Sequence, residues 1–350
     1  MRKVNQFLRY SAAVAGAILL LSGTASARDL TVVGWGGALQ EQLRLNFFDP
    51  YSKEIGKPVL EDSWDGGIGL LRTKTANGDG GWDVVQVESE ELELGCQEGL
   101  FLKLDVAAIA NPDDFLPGNV HECGIGAGSY NFVLGFDKKD GNAAPGGWAD
   151  FFDLQKFPGK RALRQGPKGN LEIALMADGV APADVYSLLA TPEGVDRAFQ
   201  KLDSIKAALV FWKTGSQPAQ MMAAGDVAMS SSYHSGLVNA IRKDKLPFGI
   251  VWNQSLTTTD SWVILTTTPN TQEAYGLLKF MTNPDAQARL SSFQPIGVSM
   301  KSAVDKVDPE TAPYLPTFPD NSKNVLTLNA SFWIDHIDTL TERWTAWAGQ

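Results

Sequence analysis

Residues 30–37 read LTVVGWGG, and this stretch sets the pattern of the fold. The apolar run Leu30 to Gly34 predicts a buried strand, and the glycines behind it predict a tight turn into the helix-period residues Ala38 to Phe48. Two further strands are predicted at 58–60 and 83–87, with a helical stretch between them. Strands that alternate with helices pair in parallel, so an α/β fold is predicted.

The same alternation resumes in the second half of the chain, beyond residue 147. Strands are predicted there at 161–164, 227–230, 248–252 and 261–266, with helices between them. A chain of 350 residues is too long for one ordinary core, which indicates two lobes. No repeat and no long polar linker separates the halves, so the two α/β lobes are predicted to be interleaved.

Residues 1–27 have the pattern of a cleaved export signal. A basic start precedes an apolar run from Ser11 to Leu21, and residues 25–27 offer a small-residue cleavage site. A single membrane anchor is the alternative, but the run is too short to span a bilayer. We therefore expect cleavage before Arg28 and a periplasmic protein that does not span the membrane. The first residue after the cleavage site is Arg28 and the first cysteine is Cys96, so no lipid anchor is expected.

The charge balance and the two cysteines restrict the class of protein. The chain has 30 Lys and Arg against 40 Asp and Glu, a net charge of −10. That acidity argues against a nucleic-acid partner, which requires a basic surface. In an exported chain, Cys96 and Cys123 are expected to form a disulfide. The alternative of a metal or redox pair is disfavoured by their 27-residue spacing and by the lack of a further His-Cys pair near them.

No catalytic motif is found in the sequence. His121, His234 and His336 do not lie in a metal-binding HExxH pattern, and there is no GxSxG nucleophile elbow. Gly124 to Gly128 lacks the third glycine of a dinucleotide fingerprint, and Gly159 to Arg161 lacks most of a P-loop. The chain is predicted not to be an enzyme and to use no metal or cofactor. A secreted hydrolase remains the alternative from a different class, because acidic residues are plentiful.

The stretch LTVVGWGG also begins a series of motifs that resembles the extracytoplasmic solute-binding proteins of the spermidine/putrescine type. The series continues through YSKEIGKPV, WDVVQVES, FDLQKFPGKRALR, GDVAMSSSYHSG and TTDSWVIL, over nearly the whole chain beyond residue 27. The resemblance implies a periplasmic-binding-protein-like fold, in which hinge strands join two α/β lobes around a ligand cleft. We expect residues 28–134 and 262–300 in the first lobe, and residues 135–261 and 301–350 in the second.

The resemblance also implies which residues face the cleft. Trp35 and Tyr233 are the implied cleft aromatics, Glu88 is the implied polar residue, and Asp260 is a retained carboxylate. Asp65 is added because it also follows a predicted strand, and ligands bind beyond the carboxyl ends of strands in α/β sheets. Each residue has a structural alternative: core packing for the aromatics, helix capping for Glu88, and a turn role for Asp65 and Asp260.

These residues favour a small cationic amine such as putrescine or spermidine. Ammonium groups are stabilised by carboxylates and by aromatic faces. The resemblance then implies hinge closure on the amine by a monomeric receptor, which delivers it to an ABC permease.

One departure from the family pattern leaves a second ligand open. The acids that family members have after residues 162–164 are missing, and Gln165, Gly166 and Gly169 stand there instead, beside Arg164 and Lys168. The ligand is then either a shorter diamine or an ω-amino acid such as 4-aminobutyrate, with its carboxylate facing Arg164. A small anion bound by Arg164 and the amides of residues 36–37 is a further alternative.

Overall fold

The computed structural model describes residues 28–76, 78, 80–138 and 143–349, so the predicted export signal lies outside the described residues. Strands and helices alternate along this part of the chain. The strands are β1 Leu30–Gly34, β2 Val59–Ser63, β3 Val84–Val87, β4 Val120–His121, β5 Gly124–Asp137, β6 Arg161–Arg164, β7 Leu209–Trp212, β8 Met229–Tyr233, β9 Phe248–Ile264 and β10 Leu326–Thr327.

The α-helices lie between these strands, except for the last, which follows β10. They are α1 Gly37–Leu43, α2 Asp49–Ile55, α3 Ile68–Ala76, α4 Ser89–Gln97, α5 Val106–Ile109, α6 Trp148–Phe152, α7 Asn170–Ala177, α8 Val185–Leu189, α9 Pro192–Asp203, α10 Gln217–Ala224, α11 His234–Arg242, α12 Thr271–Met281, α13 Pro284–Phe293, α14 Lys301–Val304 and α15 Ala330–Ala348. A π-helical turn, Arg44–Phe48, joins α1 to α2. Of the helices in the described ranges, none is both long enough and apolar enough to cross a membrane.

One mixed sheet contains all of these strands, in the order β2-β1-β3-β9-β5-β8-β6-β7, with β4 on β5 and β10 on β9. The outer strands are parallel within each half, whereas β5 and β9 run antiparallel to each other, β5 runs antiparallel to β8, and β9 runs antiparallel to β3. The short strand β10 is parallel to β9. Two strands of 14 and 17 residues therefore pass through the centre of the molecule and belong to both halves.

Each half of the sheet has its own core, which confirms the two-lobed fold. In the first lobe, side chains alternate along β1 and β3, so Val32 and Val84 enter one cluster and Val33 and Val85 enter another on the opposite face. In the second lobe one large cluster surrounds β6, β7 and β8. Its members include Phe132, Leu163, Leu171, Trp212, Leu237 and Trp344.

The limits of the lobes stay a prediction, but two segments pack differently from the expected division. Ala303, Val307 and Leu315 belong to a first-lobe cluster, although we expected residues beyond 300 in the second lobe. Phe132 already packs in the second lobe. The chain thus passes from the first core to the second within β5, returns within β9, and crosses again before Leu326.

The central strands differ most from the sequence prediction. Residues 248–252 and 261–266 were expected as two strands, but the former and most of the latter belong to the single strand β9. The strand β5 was not predicted, because Gly124, Gly126 and Gly128 read as a glycine-rich loop. Two irregularities of register, between Gly126 and Gly128 and between Phe132 and Leu134, interrupt its pairing with β9.

Buried polar residues fix the start of β6 and the start of α7 in the second lobe. The Arg161 guanidinium is fully buried and donates to the carbonyls of Phe151 at 2.7 Å and Gly159 at 2.8 Å. Burial lowers the pKa of Arg161 to about 10. The buried Glu172 carboxylate accepts from the Trp333 indole of α15 at 2.8 Å and from the amide of Gly169 at 2.9 Å. These contacts hold the segment 164–169, which contains the cations Arg164 and Lys168.

The predicted disulfide is present. Cys96 at the end of α4 is bonded to Cys123, which directly precedes β5. The imidazole Nδ1 of the neighbouring His121 accepts from the Cys123 amide at 3.2 Å. The bond therefore ties the helix that begins at the carboxyl end of β3 to one of the two central strands.

Replacement of both cysteines by serine is expected to reduce the free energy of unfolding by about 3 kcal/mol, because a loop of 27 residues is no longer closed in the unfolded chain. Urea denaturation measures the change. The chain contains two cysteines, so reductant should have no effect on the double variant and should bring the wild type to the same stability. Equal stability of oxidised wild type and variant would contradict the prediction.

The buried His234 is expected to make the free energy of unfolding depend on pH. It is fully buried, its Nδ1 accepts from the Asn131 amide at 3.2 Å, and burial lowers its pKa from 6.5 to about 4. Between these values the unfolded chain binds the proton and the folded chain does not, so stability falls as pH falls. The loss due to this residue is about 3 kcal/mol between pH 7 and pH 4.

The variant His234→Gln is expected to lose less stability on acidification than the wild type, by about that amount. Urea denaturation at pH 7, 5.5 and 4 measures the slope. Parallel slopes for wild type and His234→Gln would show that another group is responsible.

Candidate ligand-binding site

Five of the six predicted site residues lie around the phenol of Tyr130, in the middle of β5. Its hydroxyl donates to Glu88 Oε1 at 3.2 Å, and its ring lies 5.6 Å from the ring of Tyr233. The pKa of Tyr130 is raised by burial and by the charges of Glu88 and Asp260, and the charge of Arg164 opposes this. Trp35 joins the group through a hydrogen bond to Asp260.

The topology explains why these side chains meet. Trp35 follows β1, Glu88 follows β3, Arg164 ends β6 and Tyr233 ends β8, so each lies at the carboxyl end of a parallel strand. Asp260 lies on β9, opposite Gly128 of β5. Residues from both lobes therefore meet beside the two central strands, where ligands of α/β folds commonly bind.

The Asp260 carboxylate is buried, with 6% of the residue exposed. Its Oδ2 accepts from the Trp35 indole at 2.7 Å and from the Gln86 side-chain amide at 3.0 Å. Its Oδ1 is buried and has no hydrogen-bond partner among the described residues. Burial, and to a lesser degree the charge of Glu88, raise the pKa of Asp260 well above its usual range. One carboxylate oxygen thus lacks a donor, which is costly for a buried acceptor.

Trp35 is held in place by other aromatic residues. Its indole stacks on Trp64 with ring centroids 5.4 Å apart and planes 9° from parallel, and Trp64 meets Trp82 edge-on at 5.9 Å. Gly66 adopts a positive φ of 85°, and a Cβ there would lie 3.6 Å from the Trp35 ring. The half-buried indole therefore has a fixed orientation, with its N–H directed at Asp260.

Glu88 is already paired with a cation from the other lobe. It precedes α4, and its Oε2 lies 3.3 Å from the ammonium of Lys168, which also contacts Glu90 Oε1 at 2.6 Å. Burial favours the neutral acid, but the charges of Lys168 and Arg164 outweigh it and lower the pKa of Glu88. The pKa of Lys168 is raised despite burial, because Glu88 and Glu90 stabilise the ammonium. Both partners are charged at neutral pH.

Arg164 contributes a cation that has no acid directly bound to it. Its guanidinium lies over the rings of Phe132 at 5.7 Å and Tyr233 at 5.8 Å. Burial disfavours the charged form, but Tyr233 and Glu88 outweigh it and raise the pKa of Arg164. Across the described part of the chain, no hydrogen bond or ion pair to this guanidinium is found. A positive group therefore lies beside the rings of Phe132 and Tyr233 with its donors unused.

Asp65 is not brought into this group. It is exposed in the turn after β2, and no contact between its side chain and the other five predicted residues is found within the described ranges. Gln86 and Tyr130 are site residues that sequence reasoning missed. Gln86 could have been noticed, since it is the one polar residue in the apolar strand β3. Tyr130 could not, because β5 was not predicted.

Comparisons with known proteins agree with this architecture. The family model of the bacterial extracellular solute-binding proteins matches residues 58–317. The chain is 38% identical over 335 residues to the gamma-aminobutyric acid-binding protein of Pseudomonas aeruginosa, which covers 96% of this chain and 95% of that protein. The sequence prediction of a solute-binding protein is therefore confirmed, whereas this relative does not support a polyamine-specific type.

Two solved structures have the same fold over nearly their whole length. A structure described as a GABA receptor is 30% identical with a TM-score of 0.82, and the match covers 92% of this chain and 98% of that one. The PBP MotA from A. tumefaciens B6 in complex with glucopine is 28% identical with a TM-score of 0.81, covering 92% and 100%. The chain belongs to the bacterial extracellular solute-binding proteins.

Proposed function

We propose that this protein captures an ω-amino acid of the 4-aminobutyrate type in its cleft and delivers it to the permease of an ABC importer. The observation that carries the proposal is a pair of unsatisfied groups of opposite charge. Asp260 has a buried oxygen without a donor, and Arg164 has a guanidinium without a bound acid. Both groups lie close enough to Tyr130 for their charges to shift the pKa of its phenol, in opposite directions.

The ammonium of the ligand binds Asp260 in this proposal. A desolvated ammonium requires a carboxylate partner, and a charge-assisted hydrogen bond of this kind is stronger than a neutral one. The Trp35 and Gln86 donors already stabilise the other carboxylate oxygen, so Oδ1 is fixed in position and free to accept. A bound cation also lowers the pKa of Asp260, which favours the ionised acid.

The carboxylate of the ligand binds Arg164. A guanidinium presents donors in a planar fork that matches a carboxylate, so two parallel hydrogen bonds can form. The rings of Phe132 and Tyr233 restrict the orientation of that fork. The methylenes between the two ligand charges would lie along Tyr130, whose ring contacts that of Tyr233.

Binding favours the closed arrangement because the two ends of the ligand contact groups that different lobes hold in position. Arg164 ends a strand of the second lobe, whereas Trp35 and Gln86, which orient Asp260, belong to the first. A ligand that bridges these groups has contacts in the closed state that an open state cannot provide. The register irregularities in β5 lie on either side of Tyr130, and such irregularities bend strands locally.

The named relatives support this proposal over the cationic amine that the motif series suggested. The 38% identical relative is named for gamma-aminobutyric acid. A diamine remains the second candidate, because Glu88, Glu90 and Asp260 are acidic. Arg164 and Lys168 disfavour a diamine, because they repel its ammonium groups.

We also propose that the protein is a monomeric periplasmic receptor and not an enzyme. A small anion alone is not its ligand in this proposal, since the Asp260 carboxylate lies in the same site.

Calorimetric titration of the wild type with 4-aminobutyrate, putrescine, spermidine and sulfate tests the ligand class. We expect 4-aminobutyrate to bind most tightly. Arg164→Gln should weaken that binding by about 2–5 kcal/mol, because the ligand carboxylate loses its charged partner. Arg197→Gln is the matched control, since Arg197 pairs with Asp178 on the exposed surface of the same lobe. Tighter binding of spermidine or sulfate than of 4-aminobutyrate would exclude the proposed ligand.

Asp260→Asn should have opposite effects on stability and on binding. At neutral pH the raised pKa of Asp260 means that its ionised form costs stability in the ligand-free protein. The neutral amide keeps one oxygen for Trp35 and Gln86, so the free energy of unfolding should rise by about 1–3 kcal/mol.

The gain should shrink as pH falls and Asp260 takes up a proton, and binding of 4-aminobutyrate should weaken by several kcal/mol. Urea denaturation and calorimetry measure the two effects. Asp285→Asn, on the exposed surface of the first lobe, is the control and should show neither. If Asp260→Asn were destabilising and bound the ligand normally, Asp260 would have a structural role instead.

A further inference from the structure

Lys168 joins the two lobes at the edge of the cleft. It lies between β6 and α7 of the second lobe, and its ammonium contacts Glu88 Oε2 at 3.3 Å and Glu90 Oε1 at 2.6 Å, at the start of α4 in the first lobe. Its side chain is 19% exposed, so the charges are largely removed from water. An ion pair in such a position is much stronger than one on the surface.

The two oxygens of Glu88 have different partners. Oε1 accepts from the Tyr130 hydroxyl inside the cleft, and Oε2 faces Lys168. Glu91, which follows Glu90, accepts instead from the backbone amides of Glu88 and Gly67. Lys168 therefore neutralises the acids at the α4 end of the cleft, and Asp260 keeps a free oxygen.

The chemistry of Lys168 matches one end of a diamine. Its ammonium is a primary amine on a flexible four-carbon chain, as is each ammonium of an alkane diamine. A diamine with one nitrogen on Asp260 requires a second carboxylate for the other nitrogen, because a desolvated ammonium without a counter-charge is costly. Glu88, which also contacts Tyr130, is the acid that could serve, and Lys168 already occupies it.

We propose that Lys168 is a specificity-determining residue, whose ammonium takes the place of the second ammonium of a diamine and so restricts the cleft to ligands with one ammonium. This inference rests on the proposed function, since it concerns the same cleft. Rejection of an unwanted ligand by an added like charge is a known route to specificity.

A role in closure alone predicts a different result. If Lys168 did no more than join the lobes, its removal would lower the affinity for every ligand by a similar factor. If it excludes diamines, its removal frees Glu88 and Glu90, and the ratio of putrescine to 4-aminobutyrate affinity changes. The ratio, and not either affinity alone, separates the two roles.

The test is calorimetric titration of Lys168→Met with putrescine and 4-aminobutyrate, beside the wild type. We expect the ratio of putrescine to 4-aminobutyrate affinity to rise by about tenfold or more, as a close charge pair becomes available. Lys168→Arg should keep the wild-type ratio. Lys156→Met removes the same charge from an ion pair within the second lobe and should also keep it. The double variant Lys168→Met with Glu88→Gln should lose the gain.

An unchanged ratio in Lys168→Met, with a folded protein by circular dichroism, would overturn the inference. If that variant does not fold, Lys168→Gln, which has a polar side chain without charge, takes its place under the same criterion. The proposed function is judged separately on the wild type. Failure of the wild type to bind 4-aminobutyrate removes the proposed ligand, whereas a gain of putrescine binding in Lys168→Met still supports the exclusion of diamines.

Discussion

The burial of one carboxylate at the junction of the lobes is the constraint on which the rest of the site depends. Asp260 lies on a central strand, where β9 pairs with β5, and it has two donors for one oxygen and none for the other. A buried acid in this state is unfavourable for folding unless a cation arrives. The Trp35 indole and the Gln86 amide therefore do more than fill space: they keep the free oxygen in one position. The ionised Asp260 carboxylate therefore lowers the stability of the ligand-free protein but is required for binding the ligand.

The remaining charges of the site are divided between the lobes. The second lobe contributes the cations Arg164 and Lys168, and the first contributes the acids Glu88 and Glu90. Lys168 satisfies those acids, and Arg164 is left without one. One carboxylate oxygen, on Asp260, and one guanidinium, on Arg164, are consequently left without a partner of opposite charge. This arrangement is complementary to a zwitterion. Aromatic rings around Tyr130 and Trp35 orient these groups without neutralising them.

Much of this could be predicted from sequence because the relevant signals are local. Short apolar runs followed by glycine or polar residues locate β1, β3, β6 and the residues at their carboxyl ends, including Trp35, Glu88 and Arg164. What could not be predicted depends on tertiary contacts. The glycines of β5 resemble a loop until β9 pairs with them, so Tyr130 had no predicted position. The pairing of Lys168 with Glu88 joins residues 80 positions apart, and no pattern along the chain reveals it. Asp65 follows a strand as the others do, but its side chain faces solvent.

Because the chain passes repeatedly between the two lobes, recombination between genes is constrained as a source of new receptors. The backbone passes between the two cores three times, within β5, within β9 and before β10. A single crossover between genes would therefore join mismatched parts of both cores and of the shared sheet, and an intact lobe could not be inherited as one block. New ligand preferences in this architecture are more readily acquired through point substitutions at the strand ends, where a side chain can change without repacking either core.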